Sequence, residues 1–146
     1  EDLNAVESFK RKVWHDQLLK NWISKNSIEK SIGWDPYPTS IRIVNWIKWH
    51  LQGNKLFDAL LKNLVLQTSY LNQRIEWHIL GNHLFSNAKA LVFAGLFFSS
   101  KQSEIWLKNS SRPFSLEKTV IVCFQGQITL SEPIMNPVKT AKVKSS

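Results

Sequence analysis

Apolar residues recur at helical spacing through the first 110 residues of the chain. In the segment 41–52, Ile43, Trp46, Ile47 and His50 stand at i, i+3, i+4 and i+7, which places them on one face of an α-helix. The same kind of spacing predicts further helices, separated by short polar joints that contain glycine or asparagine. The further helices are predicted over residues 1–26, 56–80, 83–98 and 101–109.

The periodicity also predicts which side of each helix is buried. The buried face of the first helix is expected at Val6, Phe9, Val13, Leu18, Trp22 and Ile23, and that of the third at Leu60, Leu64, Leu71 and Ile75. The fourth helix carries small residues, which predict a close approach of a neighbouring helix. These small residues are Ala88, Ala90, Ala94 and Gly95.

The segment 28–39 contains a glycine and two prolines, and it is predicted to be a loop. A residue that precedes proline is driven towards extended conformations, so Asp35 and Tyr37 are expected to be extended. Thr39 or Ser40 is expected to cap the helix that follows.

The last part of the chain has a different pattern. Apolar and β-branched residues predict short strands at 119–123 and 127–130, and residues 136–146 are predicted to be disordered. The predicted fold class is therefore all-α, with antiparallel helical hairpins in a domain over 1–110 and an irregular tail over 111–146.

Composition narrows the class of protein. A chain of 146 residues with 43% apolar and 21% charged residues suits one folded domain. The longest apolar run, 91–98, is far shorter than the roughly 20 residues of a membrane span. The single cysteine, Cys123, excludes an internal disulfide and a zinc site built from several cysteines.

The net charge of +8 favours a polyanionic partner, although solubility alone is the simpler explanation. The basic residues are scattered rather than gathered on one helix face, so nucleic acid is a weak candidate. The chain has no Walker loop, dinucleotide glycine motif or serine nucleophile elbow, so no cofactor is predicted.

One cluster of polar and ionisable side chains spans residues 76–89. Asn82, His83 and Asn87 lie where a helix begins after Gly81, a position that favours anions because backbone N–H groups are free there. The simpler alternative makes Asn82 a helix cap and His83 a core histidine. A metal site is less favoured, since Glu76 and His78 are two residues apart and point to different sides of a helix.

A second cluster spans residues 34–46. Trp34 and Tyr37 flank a proline-rich loop, and Arg42, Asn45 and Trp46 follow within about one helical turn. Aromatic faces stack on sugar rings, and arginine binds carboxylate or sulfate in a bidentate manner. The equal alternative is a buried tryptophan belt in which Arg42 pairs with Glu76 or Asp35.

The two clusters, in this order, resemble the N-terminal helical domain of the heparinase II/III family of polysaccharide lyases. The resemblance covers roughly residues 10–108. Its most specific string is Gly-Asn-His-Leu-Phe-x-Asn-x-Lys-Ala-Leu at 81–91, and the other matching stretches are Gly33–Lys48, Ile75–Leu80 and Ala94–Phe98.

The resemblance implies a partial (α/α) toroid and β-elimination at a uronic acid of an acidic polysaccharide. It implies that Asn82 and His83 occupy the family's position for neutralising the substrate carboxylate. It also implies a periplasmic or extracellular location. The residues that it implies for substrate binding are Trp34, Tyr37, Arg42, Asn45, Trp46, Glu76, His78 and Asn87.

The chain departs from the family downstream. The family places a proton-transferring tyrosine in a motif similar to Asp-Gly-x-x-Phe-Glu-x-Ser-Pro-x-Tyr-His, whereas residues 125–136 contain neither tyrosine nor histidine. A frameshift near Ser110 is one hypothesis for this difference. The family's C-terminal β-sandwich is also not expected in a chain of this length, so we expect an inactive fragment with exposed helix faces that self-associates. Alternatives are a non-catalytic module that binds acidic glycan or another polyanion, and an all-α interaction domain without a ligand.

Overall fold

A computed structural model describes residues 2–28, 32–79 and 81–112 of the chain. Over these residues the protein is all-helical and contains no β-strand. The α-helices are α1 (Lys12–Lys25), α2 (Pro36–Leu51), α3 (Asp58–Gln73), α4 (Asn82–Phe98) and α5 (Lys101–Ser111), and 3-10 turns occur at Asp2–Asn4, Ser8–Arg11 and Ile32–Trp34. The predicted strands and the predicted disordered tail lie outside the described residues.

The first helix is shorter than predicted. Glu7 adopts a left-handed conformation with φ 58°, and two 3-10 turns replace the helix before Lys12. The predicted buried face is wrong over most of its length, because Val6, Phe9, Val13 and Leu18 are all exposed, at 90%, 71%, 85% and 43%. The residues of α1 that are buried are His15 and Leu19.

The second helix begins at Pro36, five residues earlier than predicted. The first N–H groups of a helix have no acceptor within the helix, so prolines are tolerated in its first turn. Asp35 precedes the helix in the expected extended conformation (φ −57°, ψ 147°), but the extended Tyr37 and the capping role for Thr39 or Ser40 are wrong. Tyr37 therefore shares one helix with Arg42.

The core lies where α2 packs on α3 and α4, and where α4 packs on α5. The predicted core positions of α2 and α3 are confirmed, since Ile43, Trp46, Ile47, Leu60, Leu64 and Leu71 are buried. The predicted close approach at α4 is confirmed by Gly95, where a Cβ atom would stand 2.6 Å from Leu107 Cγ of α5. Ser100 and Ser103 form a reciprocal capping box at the start of α5.

The third helix ends at Gln73 instead of continuing to residue 80. The residues after it form a turn, in which Ile75 still reaches the core at 8% exposure. This early end allows the chain to fold back, so that Glu76 meets α4. No helix among the described residues is long and apolar enough to cross a membrane. Self-association through exposed helix faces stays a prediction.

Candidate functional site

A hydrogen-bond network joins the two sequence clusters through Asn87, a fully buried residue of α4. The amide N–H of Glu76 donates to Asn87 Oδ1 at 2.9 Å, and Asn87 Nδ2 donates to Ser40 Oγ of α2 at 2.9 Å. Ser40 Oγ in turn donates to the carbonyl of Pro36 at 2.8 Å. The buried side-chain amide of Asn87 thus bonds to a residue of α2 that lies 47 positions earlier in the chain.

His83 stands at the surface end of this network. Its Nδ1 lies 3.2 Å and 3.3 Å from the two carboxylate oxygens of Glu76, and its ring stacks on Tyr37 with 4.4 Å between centroids. The side chain of His83 is 41% exposed, whereas that of Glu76 is 13% exposed. His83 is therefore not a core histidine. When Nδ1–H donates to the carboxylate, Nε2 is the nitrogen left for a ligand.

Asn82 is the first residue of α4, and the residue at the N-cap position is Gly81 with φ 88°. The alternative that makes Asn82 a capping residue is therefore wrong. Asn82 is exposed beside His83, and His78 is exposed in the turn before α4. The structure thus brings Tyr37, Glu76 and His83 together and leaves Asn82 accessible next to them.

Arg42 is held by neutral oxygen atoms rather than by a carboxylate. Its Nε donates to Gln67 Oε1 at 2.7 Å, its Nη1 to the Gly33 carbonyl at 2.7 Å and its Nη2 to Thr39 Oγ1 at 3.1 Å. Its guanidinium carbon lies 3.9 Å from the centre of the Trp22 ring. The expected ion pair with Glu76 or Asp35 does not form, because no carboxylate of the described residues pairs with this cation.

Burial lowers the pKa of Arg42 to about 9, because the charged form loses hydration that no anion replaces. The cation nevertheless contributes to an accessible surface. A cavity of about 430 Å³ lies between α2 and the N-terminal turn, which is the 3-10 turn Asp2–Asn4. It is lined by Leu3, Tyr37, Pro38, Ile41, Arg42, Asn45 and Trp46.

Trp34 has a different environment from the other predicted binding residues. It is 2% exposed, its ring meets those of Trp22 and Tyr70 edge-on or tilted, and its Nε1 donates to the Asn26 carbonyl at 3.2 Å. Trp34 thus packs within the protein and presents no open ring face to solvent. Four of the predicted binding residues, Tyr37, Arg42, Asn45 and Trp46, line the cavity instead.

Sequence reasoning missed several residues that build this region. Leu3 lines the cavity, Asn4 bonds to Asn45, and Gln67 and Ser40 hold two of the predicted site residues. The apolar pattern carries no signal for them, because each acts through a partner distant in sequence. Among the described residues no group of three or more histidine, cysteine, aspartate or glutamate side chains is placed to hold a metal ion.

No protein-family model, curated protein or solved structure matches this chain. Its chemistry is therefore inferred from the site itself: an exposed imidazole oriented by a carboxylate, an exposed amide beside it, and a neighbouring cavity that contains a half-buried cation.

Proposed function

We propose that the chain is the helical part of a polysaccharide-lyase-like protein of the heparinase II/III type, and that it binds an acidic polysaccharide containing uronic acid. In this proposal its helices pair as hairpins of a partial (α/α) toroid. The observation that carries the proposal is the convergence of the two resembling stretches. Asn87 bonds to Ser40 at 2.9 Å and Tyr37 stacks on His83, so residues from both stretches form one site.

The arrangement suits the demands of β-elimination. A base removes the proton from the carbon next to the uronate carboxylate, and negative charge accumulates on that carboxylate. Donors placed close to it lower the barrier. Asn82 offers an exposed amide, and His83 offers Nε2 while Glu76 holds the other nitrogen.

Electrostatics support an acidic partner in particular. Arg42 is a half-buried cation that faces a cavity and has no anionic partner among the described residues. An anionic ligand would supply the missing counter-charge, and residues 1–100, with 12 basic and 8 acidic side chains, carry a net charge of +4 that would favour its approach.

A non-catalytic binding module is the second candidate, and one observation favours it. Residues 125–136 contain no tyrosine, so the chain has no side chain there for the second proton-transfer role. The lyase requires binding of a uronate oligosaccharide, and a module that binds acidic glycan is expected to bind it as well. They differ in turnover, because only a lyase forms an unsaturated uronate that absorbs in the ultraviolet.

The test measures binding of uronate oligosaccharides by calorimetry and follows ultraviolet absorbance in the same mixtures. We expect binding that is lost when Asn82→Ala and His83→Ala are combined, and retained in Asn21→Ala, which alters an exposed amide on α1. A rise in absorbance supports the lyase, and binding without a rise supports the module. Binding to no uronate oligosaccharide, or binding that the double variant leaves unchanged, would refute both.

A substitution at Gln67 tests the role of the cation. Gln67→Glu places a carboxylate 2.7 Å from Arg42 Nε with almost no change in shape, so the cation gains an internal partner. We expect the affinity for uronate oligosaccharides to fall relative to Gln17→Glu, which adds the same charge at an exposed position of α1. Equal affinities in the two variants would show that Arg42 does not contribute.

A further inference from the structure

The N-terminal turn forms one wall of the cavity beside the His83 site. Leu3 lines the cavity and is 7% exposed, and Tyr37 lies between the two regions because it lines the cavity and also stacks on His83. The turn contacts α2, although it is distant from it in sequence. A ligand in the cavity would therefore touch Leu3 as well as α2.

Asn4 determines which atoms of Asn45 remain for a ligand. Its Nδ2 donates to the backbone carbonyl of Asn45 at 3.1 Å and to the side-chain Oδ1 of Asn45 at 3.2 Å. One of the two lone pairs of Asn45 Oδ1 therefore accepts from Asn4, which turns this oxygen towards the N-terminal turn. The Nδ2 group of Asn45 keeps its two N–H donors.

Arg42, Asn45 and Trp46 contribute N–H donors to the cavity wall, and the Tyr37 hydroxyl can donate or accept. Within the described residues, the buried side-chain polar atoms that lack a partner are Asn4 Oδ1, His15 Nδ1 and Trp106 Nε1. Asn45 Nδ2 and Trp46 Nε1 belong to lining residues and are absent from that set, although Trp46 as a whole is only 3% exposed. Arg42 donates three of its five N–H groups to neutral oxygens, and among the described residues that line the wall it carries the only formal charge.

The turn is fixed in place by its first residue. Asp2 Oδ2 lies 2.6 Å from Nε2 of the fully buried His15, and Arg11 donates to both carboxylate oxygens of Asp2 at 3.2 Å and 2.9 Å. These contacts tie the turn to α1, while Asn4 ties it to α2. The position of Asn4 beside Asn45 is thus set from both sides.

We propose that this cavity is an anion subsite, in which Asn4 orients Asn45 so that Asn45, Arg42 and Trp46 all donate to one oxyanion of the ligand. The ligand group is a carboxylate or a sulfate carried by a glycan. The inference rests on the proposed function for the identity of the glycan. Asn4 is a positioning residue, since it acts through Asn45, and a neutral hydroxyl gains less at this site because it brings no charge to Arg42.

The test uses the full 146-residue chain and two probes, an unsulfated uronate oligosaccharide and a neutral oligosaccharide that carries sulfate. Side-chain amide and indole N–H resonances report contact directly in nuclear magnetic resonance titrations. We expect the Asn45 Nδ2 and Trp46 Nε1 resonances to shift with an acidic probe and to stay unchanged with an uncharged oligosaccharide of the same length. A shift with one acidic probe alone identifies the anionic group.

Variants separate the donor role from a structural one. Asn45→Asp keeps an acceptor for Asn4 but replaces the free donor by a charged oxygen, and we expect roughly tenfold to hundredfold weaker binding of the acidic probe. Asn4→Ala releases the Asn45 amide, and we expect roughly twofold to tenfold weaker binding. Asn21→Asp is the matched control, because it makes the same charge change at an exposed position.

The outcomes distinguish the two levels of inference. If the sulfated probe shifts the cavity resonances and no uronate binds, the proposed function fails and the anion subsite stands. If uronate binds while Asn45→Asp and Asn4→Ala behave as Asn21→Asp does, the subsite is overturned and the proposed function stands. If neither acidic probe shifts the cavity resonances, the subsite is also overturned. Circular dichroism verifies that each variant is folded, and Asn45→Ala serves as a second donor deletion if Asn45→Asp is not.

Discussion

The side chain of Asn87 connects α2, α4 and the turn before α4, so its removal tests whether this network holds the site together. Asn87→Ala deletes the acceptor of the Glu76 N–H and the donor to Ser40 Oγ, both at 2.9 Å. It also deletes the longer contact of 3.4 Å to Glu76 Oε2. Ser40 keeps its bond to the Pro36 carbonyl, so the Glu76 N–H is the group that loses its only partner.

The expected loss follows from these contacts. The buried Asn87–Ser40 bond contributes about 1 kcal/mol, and the partly buried Glu76 N–H costs about 1–2 kcal/mol when it is left without a partner, so Asn87→Ala should lower the free energy of unfolding by about 2–3 kcal/mol. Because a domain of this kind has about 5–15 kcal/mol in total, the variant should still fold. Asn21→Ala, which alters an exposed amide, should change the free energy of unfolding by less than about 0.5 kcal/mol.

Urea unfolding followed by tryptophan fluorescence measures this difference, because four of the seven tryptophans, Trp34, Trp46, Trp49 and Trp106, are buried. A second variant, Asn87→Asp, keeps the shape of the side chain and adds a negative charge. Asn87→Asp retains the acceptor for the Glu76 N–H but places a second carboxylate beside Glu76 Oε2, so its destabilisation should be large at neutral pH and smaller in acid. A loss below about 1 kcal/mol in Asn87→Ala would refute the role given to the network.

Two further predictions concern the packing of α4 on α5 and the anchoring of the N-terminal turn. Gly95→Ala places a Cβ 2.6 Å from Leu107 Cγ, so we expect overpacking to cost about 1–3 kcal/mol. Alanine is the better helix former and offsets ~1 kcal/mol of this cost. Unfolding in urea measures the net change in the free energy of unfolding. Hydrogen bonds from His15 and Arg11 lower the pKa of Asp2, so its stabilising contribution is present above the ordinary value near pH 4 and is lost as the pH falls through the lowered value. Asp2→Asn should therefore lower the melting temperature at pH 7 and have little effect near pH 2; equal effects at both would contradict the assignment.

The parts of the fold that could be predicted are those governed by local periodicity. Ile43, Ile47 and Leu64 lie in long amphipathic segments whose buried face follows from helical spacing alone, and each is buried. The start of α2 was harder, because Pro36 is unfavourable inside a helix but favourable in its first turn, and composition does not distinguish the two positions.

The N-terminal segment could not be predicted for a different reason. Val6 and Phe9 continue the apolar spacing of α1, yet both are exposed because the left-handed Glu7 breaks the helix and redirects the chain. Leu3 takes the buried position instead. Such a break depends on what residues 2–4 contact, which local spacing does not contain.

The candidate site was predictable as a set of residues and not as a geometry. Polar side chains at 76–89 and aromatic ones at 34–46 identified the two clusters. Their connection depends on a buried amide that bonds across 47 residues, and on a helix that ends at Gln73 rather than at residue 80. Both are consequences of packing, so neither appears in the local sequence.

A carboxylate next to a proposed site for a polyanion requires a physical explanation, because like charges repel. Glu76 is 13% exposed, and its oxygens face His83 Nδ1 and Asn87 Nδ2, so two polar groups lie between most of its charge and the ligand. The same contact orients His83, whose exposed edge then presents Nε2 outward from the carboxylate. Arg42 lines the cavity together with Tyr37, and no described carboxylate pairs with it. The carboxylate of Glu76 thus makes its contacts within the protein, whereas the guanidinium of Arg42 lines the cavity. Binding of an acidic glycan requires this arrangement of charge.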